Sequence, residues 1–346
     1  MNYRAPEGRA AQVRKVKQAL LASRSAILTT HINADGDGAG CEAALSSWLR
    51  ANGTEAWIIN PTPFPDTYRF AVEDERWIVP AGSPRARDLC AEADLAVVLD
   101  TGEVPRIGRA RDLIRELRTV VIDHHQPGAQ PIGGISLRDP AAAATGELIY
   151  DLVLAANGPW TEQVALGIYV AILTDTGSFR FSNTTPDTHI MAAELINRGV
   201  DSEDVYSRIY GRARLRKYQL LGAALETLET DEEFGIAWMT IPADAYEALE
   251  ATAEDVEGMV DIPRSIIGNK VALLFSKAAT GAIKISFRSS GQLDVNQLAR
   301  QFGGGGHMKA SGAMLEGPLE RAIEKVLMAA REMIALDSAE VLKVDT

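Results

Sequence analysis

The densest group of potential metal ligands in the sequence lies within seven residues near the N-terminus. The segment HINADGD, residues 31–37, holds one histidine and two aspartates, and two threonines separate it from the short apolar run Ala-Ile-Leu at 26–28. Carboxylates and an imidazole this close together repel or desolvate one another unless a cation lies among them. A metal ion is therefore the simplest explanation for the cluster.

Similar residues follow other apolar segments of the same region. Asp100 ends the run 95–99, Asp-His-His at 123–125 ends the run 120–122, and Asp175 ends an apolar helix. Ligands of open parallel sheets gather beyond the carboxyl ends of the strands. We therefore expect all these side chains to converge on one edge of one sheet.

The number of donors indicates more than one ion. Four carboxylates and at least two imidazoles suit Mn²⁺, Mg²⁺ or Zn²⁺, and we see no nearby cysteine that would indicate a thiolate site. Two ions that share a carboxylate would use the whole set. Such a pair lowers the pKa of a shared water and yields hydroxide near neutral pH, which would attack phosphorus in line.

Each group also has an ordinary structural explanation. An aspartate after a strand commonly caps a helix, and Asp-His-His alone could be a solvated loop. Glycines 36, 38 and 40 have the spacing GxGxG rather than the GxGxxG of a dinucleotide-binding loop, and two aspartates would face the pyrophosphate. A metal site accounts best for the joint occurrence of these groups.

The order of predicted elements defines the frame that must position these residues. Apolar strands alternate with helices over the first 200 residues, which predicts an α/β domain with a parallel sheet covered on both faces. The predicted strands are 25–30, 55–59, 95–99, 120–122 and 135–138, and the predicted helices are 8–23, 40–51, 106–117, 143–156, 161–174 and 186–198.

From about residue 234 the pattern changes to that of a smaller α+β domain. Its predicted strands are 236–241, 271–276, 283–288 and 312–315, and its predicted helices are 243–251, 294–302 and 318–335. Four glycines at 303–306 precede His307, which favours contact between backbone amides and an anion. A helix with a basic middle is predicted over 201–228, and we expect most of its basic side chains to lie on a solvent-exposed face. We predict a catalytic domain over 1–200, a helical linker over 201–230 and a substrate-binding domain over 231–346.

Composition restricts the class of protein. The 346 residues carry a formal charge of −12, from 35 basic and 47 acidic side chains. Such a chain will not hold long nucleic acid on a broad basic face, although a metal-lined site can accept a small phosphorylated ligand. Two cysteines are too few for a disulfide framework and predict a reducing cytoplasm. We expect neither export nor membrane insertion, because no signal-peptide core follows the basic N-terminus and the longest apolar stretch, 164–173, is too short.

Several motifs together resemble those of the DHH phosphoesterase superfamily. HINADGD at 31–37, LDTG at 99–102, DHH at 123–125 and TDTGSF at 174–179 are similar to its four motifs. KISFRS at 284–289 and FGGGGHMKASG at 302–312 resemble a C-terminal DHHA1 domain. Length and domain pairing are similar to those of the branch of bifunctional oligoribonucleases and PAP phosphatases. Ala34 and Cys41 depart from the common residues without removing a ligand.

The resemblance implies a role for each matching residue. His31 and Asp35 would bind one metal, Asp37, His124 and Asp175 would bind the other, and Asp100 would bridge the two. Asp123 would orient its neighbours, and His125 would act in catalysis by contacting the substrate phosphate or protonating the leaving oxygen. In the smaller domain, the nucleotide or its terminal phosphate would be bound by Arg288, Gly304, Gly305, Gly306 and His307.

The implied activity is hydrolysis of very short single-stranded oligoribonucleotides to nucleoside 5′-monophosphates and of 3′-phosphoadenosine 5′-phosphate (pAp) to AMP. The cofactors would be two divalent cations, Mn²⁺ in preference to Mg²⁺, and the active site would lie in the cleft between the domains. Cyclic di-AMP and its linear product pApA are alternative substrates, while a long-polymer exonuclease and a pyrophosphatase are less favoured. A nucleotide-binding regulator without turnover is the alternative of another class, but it would not need paired-metal ligands. The sequence leaves open whether the chain forms a homodimer.

Overall fold

The computed structural model of the protein describes residues 3–278, 280–306 and 308–344, with side chains as far as residue 337. The chain divides into two units, Met1–Gly211 and Arg212–Thr346. Each unit contains one sheet with its own apolar core.

The first unit contains the predicted parallel sheet. Its strands are β1 (Ser25–Thr29), β2 (Glu55–Ile58), β3 (Leu95–Leu99), β4 (Arg118–Asp123) and β5 (Ile135–Arg138), in the spatial order β2-β1-β3-β4-β5. In the register, Leu99 pairs with Ile122 and Asp123 pairs with Arg138. The carboxyl ends of neighbouring strands therefore lie side by side at one edge.

Helices cover both faces of this sheet. They are α1 (Ala10–Leu21), α2 (Gly36–Ala51), α3 (Pro84–Glu92), α4 (Ala110–Ile114), α5 (Thr145–Ala155), α6 (Glu162–Asp175), α7 (Pro186–Asn197) and α8 (Ser202–Tyr210). Leu28 and Val97 belong to the core that includes α2, α5 and α6, whereas Ile27 and Val98 belong to the core beside α3 and α4. Because successive strand residues point to opposite faces, two buried faces require continuous apolar strands.

A pair of glycines sets the crossing of α2 and α6. The helix α2 begins at Gly36, four residues before its predicted start, so its glycines lie within a helix rather than a loop. A Cβ at Gly40 would lie 2.5 Å from Gly167 O, and a Cβ at Gly167 would lie 2.6 Å from Gly40 O. The two backbones touch there, and these helices carry Asp37 and Asp175.

Two further helices of the first unit differ from the prediction. The predicted helix 106–117 is a 3₁₀ turn, Val104–Ile107, followed by the short α4. The helix α3 was not predicted because its sequence, PRARDLCAE, carries four charged residues among nine and buries only Ala86 and Cys90. Its start is fixed by Ser83, whose hydroxyl accepts a hydrogen bond from Ala86 N.

The second unit is a mixed α+β domain. Its strands are β6 (Glu229–Asp231), β7 (Ile236–Thr240), β8 (Val271–Lys277), β9 (Ile283–Ser289), β10 (Gly305–Gly306) and β11 (Ala310–Leu315), in the order β10-β11-β9-β8-β7-β6. Its helices are α9 (Leu215–Leu225), α10 (Ala243–Ala248), α11 (Ala253–Val256), α12 (Asp261–Arg264), α13 (Val295–Gln301) and α14 (Leu319–Val344). Neighbouring strands are antiparallel except β7 and β8, which are parallel.

The basic segment predicted as one helix over 201–228 is two helices. The first, α8, ends at Tyr210, and α9 begins at Leu215. Gly211 follows α8 directly, and glycine is a poor helix former. The linker over 201–230 stays a prediction. Across the described ranges, no helix combines the length and apolarity that a bilayer crossing requires.

Candidate metal centre

The predicted ligands of the first unit come together at the carboxyl edge of its sheet. Three sets have ligand atoms that all lie within 4.8 Å of one another: His31, Asp35 and Asp100; Asp37, His124 and Asp175; and Asp100, His124 and His125. Asp100 is common to two of these sets, as a bridging ligand would be. The structure therefore brings together residues that are up to 144 positions apart (175 − 31 = 144).

The first set is built around His31. Its Nε2 lies 3.6 Å from Asp35 Oδ2 and 3.4 Å from Asp100 Oδ2. Its Nδ1 lies 3.0 Å from Ile32 O, and because a carbonyl oxygen can only accept, Nδ1 carries the proton. The Nε2 atom is buried and has no hydrogen-bond partner among the described residues. A bare, buried imidazole nitrogen between two carboxylates fits a metal ion.

The second set is built around His124. Its Nε2 lies 3.7 Å from Asp37 Oδ2, 3.5 Å from Asp175 Oδ2 and 3.7 Å from Asp100 Oδ1. Its Nδ1 lies 3.1 Å from the Ala142 carbonyl oxygen, which selects the same tautomer as in His31. Asp100 thus presents Oδ2 to the first set and Oδ1 to the second.

The backbone at Asp100 is in the left-handed region, with φ of 57°. This conformation is uncommon for a residue with a Cβ, although aspartate adopts it more readily than most, and residues held in it often lie at functional sites. The hydroxyl of Thr145 donates a 2.8 Å hydrogen bond to Asp100 Oδ1, and Asp100 N donates to Ile122 O. These two contacts hold the strained residue at the end of β3.

Asp35 and Asp37 are fixed at the start of α2. Asp35 caps this helix, since its Oδ1 accepts from the amides of Asp37 and Gly38, which leaves Oδ2 beside His31. The capping explanation and the ligand explanation for this residue are therefore compatible. Asp37 accepts hydrogen bonds from Thr145 N at 2.6 Å and Gly146 N at 3.0 Å.

The expectation that no cysteine lies near the site was wrong. Cys41 Sγ lies 3.3 Å from Asp37 Oδ1, because four residues make one helical turn of α2. Burial, together with the charge of Asp37, raises the pKa of the Cys41 thiol well above its ordinary value. The protonated thiol is therefore a hydrogen-bond donor to Asp37 rather than a thiolate ligand.

Without compensating positive charge, the carboxylates of the cluster cannot all be ionised at once. Burial and the charge of Asp100 raise the pKa of Asp37 well above its ordinary value, and burial raises the pKa of Asp175 to about 7. Burial acts to lower the pKa of His31, but Asp100 and Asp35 outweigh it and raise that pKa to about 10. Protons or cations must offset this excess of negative charge. Two divalent ions fit the oxygen and imidazole donors.

The position of the His125 ring is fixed by contacts with Asp123 in addition to its place in a ligand set. Asp123 Oδ1 accepts from His125 N at 3.0 Å and lies 2.9 Å from His125 Nδ1. Asp123 Oδ2 lies 3.4 Å from Arg138 Nε. The guanidinium of Arg138 crosses the backbone of Gly102, where any Cβ would collide with it.

Four contributors to this site escaped the sequence reasoning: Arg138, Thr145, Gly146 and Asn183. Asn183 Nδ2 donates to Ala143 O at 2.8 Å and to Asp175 O at 3.1 Å. Arg138 could have been found, because it ends a predicted strand like Asp100 and Asp123. Thr145 and Gly146, the first residues of α5, and Asn183 act through individual hydrogen bonds that no local sequence pattern predicts.

The predicted substrate residues lie in the second unit. Arg288 is on β9, its side chain 26% exposed, and burial lowers its pKa. Gly305 and Gly306 form β10, which pairs with β11, and a Cβ at Gly304 would clash with Gly312 O. The glycines therefore have a packing role within the sheet, and contact with an anion stays a prediction. His307 lies outside the described residues.

Two protein-family models match the chain. The model described as DHH family, N-terminal domain, matches residues 25–172, and the model described as DHHA1 domain matches residues 243–336. The first range contains the strands and most ligands of the metal centre, while Asp175 follows it by three residues.

The similarity extends to whole proteins. The chain is 35% identical to the bifunctional oligoribonuclease and PAP phosphatase NrnA of Thermus thermophilus, over 96% of this chain and 98% of that protein. It is 31% identical to the Bacillus subtilis protein of the same name, over 84% and 88%. Among solved structures, an exopolyphosphatase-related protein from Bacteroides fragilis has a TM-score of 0.88 at 26% identity, over 94% of this chain and 97% of that one.

Proposed function

The chain belongs to the DHH phosphoesterase family, in the branch that carries a DHHA1 domain, and from this we propose that it hydrolyses very short oligoribonucleotides and pAp with two divalent cations. The products would be nucleoside 5′-monophosphates from RNA, and AMP with phosphate from pAp. The relatives named as oligoribonuclease and PAP phosphatase match along both units, which supports this pairing of substrates.

The observation that carries the proposal is the position of Asp100. Its two carboxylate oxygens lie 3.4 Å from His31 Nε2 and 3.7 Å from His124 Nε2, so it links the two ligand sets. His31 and Asp35 would complete one site, and Asp37, His124 and Asp175 the other. When bound, such a pair of cations supplies an activated water and stabilises charge on phosphoryl oxygens.

The other residues of the centre would act on the substrate. The carboxylate of Asp123 can only accept a hydrogen bond, so His125 donates from Nδ1, and its second ring nitrogen, Nε2, would be available to the phosphate or the leaving oxygen. Arg138 offsets the charge of Asp123, which is 1% exposed. Asp123 and Arg138 would thus fix the orientation of His125.

The remaining features of the proposal are the metal, the substrate end and the compartment. Carboxylates with imidazole suit Mn²⁺, which we propose in preference to Mg²⁺. Arg288, together with the glycines 304–306 and His307, would bind the nucleotide. Both cysteines are free and buried, which supports a reducing cytoplasm.

A substitution at the bridging residue tests the proposal. We expect Asp100→Ala to remove metal-dependent hydrolysis of both pAp and a ladder of short RNAs, because neither ion keeps its shared ligand. Asp112→Ala, an exposed aspartate of α4, is the matched control and should keep wild-type activity. Near-wild-type turnover by folded Asp100→Ala would overturn the assignment. Including cyclic di-AMP and pApA in the same assay separates the alternative substrates, and tight binding without hydrolysis would indicate a regulator.

A further inference from the structure

The loop between β5 and α5 and the first two residues of α5 together support one of the two ligand sets through their backbone. The amides of Thr145 and Gly146 donate to the two oxygens of Asp37, and the Ala142 carbonyl accepts from His124 Nδ1. These contacts fix two of the three members of the set formed by Asp37, His124 and Asp175. The position of residues 139–146 therefore determines the shape of that set.

A buried arginine from the N-terminal segment contacts the carboxylates at both ends of this loop. Arg9 is 4% exposed and ends the 3₁₀ turn Glu7–Arg9. Its Nε lies 3.0 Å from Asp139 Oδ2, its Nη2 2.7 Å from Glu147 Oε1 and its Nη1 3.0 Å from Asp151 Oδ2. Asp151 also accepts a 2.6 Å hydrogen bond from the hydroxyl of Tyr3.

Two of these carboxylates join Arg9 to the loop backbone. Asp139 turns Oδ2 to Arg9 and accepts from Ala141 N with Oδ1, at 2.9 Å. Glu147 turns Oε1 to Arg9 and accepts from Ala143 N with Oε2, also at 2.9 Å. Each carboxylate therefore holds one loop amide in a fixed position relative to the guanidinium. Ala141 and Ala143 flank Ala142, whose carbonyl oxygen contacts His124.

Two members of the other ligand set take their support from elsewhere, while its third member, the shared Asp100, accepts a hydrogen bond from the Thr145 hydroxyl. His31 is oriented by its contact with Ile32 O, and Asp35 by the amides of Asp37 and Gly38. Arg9 also precedes residue 25, where the match to the DHH family model begins. The contacts of Arg9 thus add to the centre from outside the matched domain. Through residues 139–146 they reach Asp37, His124 and the shared Asp100, but neither His31 nor Asp35.

We propose that Arg9 is a positioning residue for the ion held by Asp37, His124 and Asp175. It acts through Asp139 and Glu147, which fix residues 139–146, the loop before α5 and the first two residues of that helix. This inference rests on the proposed two-metal function. Loss of the guanidinium would leave buried carboxylates without a counter-ion, and these would turn toward solvent and release the amides of Ala141 and Ala143. The loop would then hold Asp37 and His124 less well.

Calorimetric titration of the metal-free protein with Mn²⁺ tests this inference. We expect two binding steps in the wild type, and in Arg9→Met a loss of about 10- to 100-fold in the affinity of one step, the range measured when indirect supports of a metal site are removed. The other step should lose less affinity, because among its ligands only the shared Asp100 contacts residues 139–146. A general loss of stability would weaken the Mn²⁺ affinity of both steps alike. Unequal losses of affinity in the two steps therefore indicate positioning.

Two control variants change residues of α1, the helix that directly follows Arg9. Lys17→Ala removes the 2.9 Å hydrogen bond from Lys17 Nζ to Ala155 O at the far end of α5, and Leu20→Ala weakens the packing of α1 without touching the charge network. Both should bind two ions as the wild type does. If Leu20→Ala weakens the same step as Arg9→Met, the effect is structural and the inference fails.

A second variant covers the case in which Arg9→Met does not fold. Asp139→Ala cuts one link to the loop at a side chain that is 25% exposed, and should weaken the same binding step. Wild-type affinity for both ions in either folded variant overturns the inference while leaving the proposed function intact. Failure of the wild type to bind two ions would instead overturn the proposed function.

Discussion

At the scale of single residues, the carboxyl group of Glu42 gives the protein a defined dependence on pH. Its Oε2 accepts a 2.8 Å hydrogen bond from Asn60 Nδ2, and its Oε1 is buried without a hydrogen-bond partner in the described part of the chain. Burial raises its pKa to about 8, with the Asn60 hydrogen bond opposing, from an ordinary value of 4.5. The folded protein therefore keeps a proton that the unfolded chain releases, so the free energy of unfolding falls as pH rises from about 4.5 to about 8.

We expect Glu42→Gln to remove this component, since the amide does not titrate. The variant should gain stability relative to wild type as pH rises through that interval, by at most about 1.4 kcal/mol per unit of pKa difference. Urea unfolding in the presence of a chelator at several pH values measures the difference. Glu92→Gln, at an exposed position of α3, should show a constant difference from wild type. Parallel curves for Glu42→Gln and wild type would contradict the prediction.

At the scale of elements, the contact between α2 and α6 depends on the absence of a side chain at Gly167. A Cβ there would lie 2.6 Å from both Ala44 N and Gly40 O, so Gly167→Ala forces the helices apart. We expect a loss of about 1–3 kcal/mol in the free energy of unfolding. We also expect weaker Mn²⁺ binding, because these helices carry Asp37 and Asp175.

The control is Gly222→Ala, in α9 with nothing within 4 Å of the new Cβ, which should instead raise the free energy of unfolding by roughly 0.5–1 kcal/mol. Equal stability changes in the two variants would contradict this account.

The same elements explain how far the sequence predicts the fold and the site. The strand 95–99 has its predicted bounds because a short continuous apolar run that ends in Asp-Thr-Gly is typical of a buried strand, and the rule for strand ends placed Asp100 and Asp123 at one edge. The start of α2 was missed because glycines usually indicate a loop, and their role in helix packing becomes visible only once α6 is known to lie against α2. Thr145 and Gly146 support Asp37 through amides, which every residue but proline has. Arg9 meets Glu147 across 138 positions, and no local pattern reports that contact.

At the scale of the whole molecule, the two units should respond differently to metal. Each has its own apolar core, so we expect each to unfold in its own transition. All the candidate ligand sets of the described residues lie in the first unit, and a ligand that binds only the folded form stabilises what it binds. Tryptophan fluorescence can separate the transitions, because Trp238 is the single tryptophan of the second unit and the other four lie in the first.

We therefore expect Mn²⁺ to raise the midpoint of the first unit alone, by a free energy of about 2.7 kcal/mol for each bound ion when free metal is 100 times its Kd. In Trp238→Phe, the remaining fluorescence follows the first unit and should shift between chelator and Mn²⁺. The difference between wild type and Trp238→Phe follows the second unit and should stay in place. Asp100→Ala should lose the shift, since both ligand sets share that carboxylate. An equal shift of both signals, or a full shift in Asp100→Ala, would contradict a metal centre confined to the first unit.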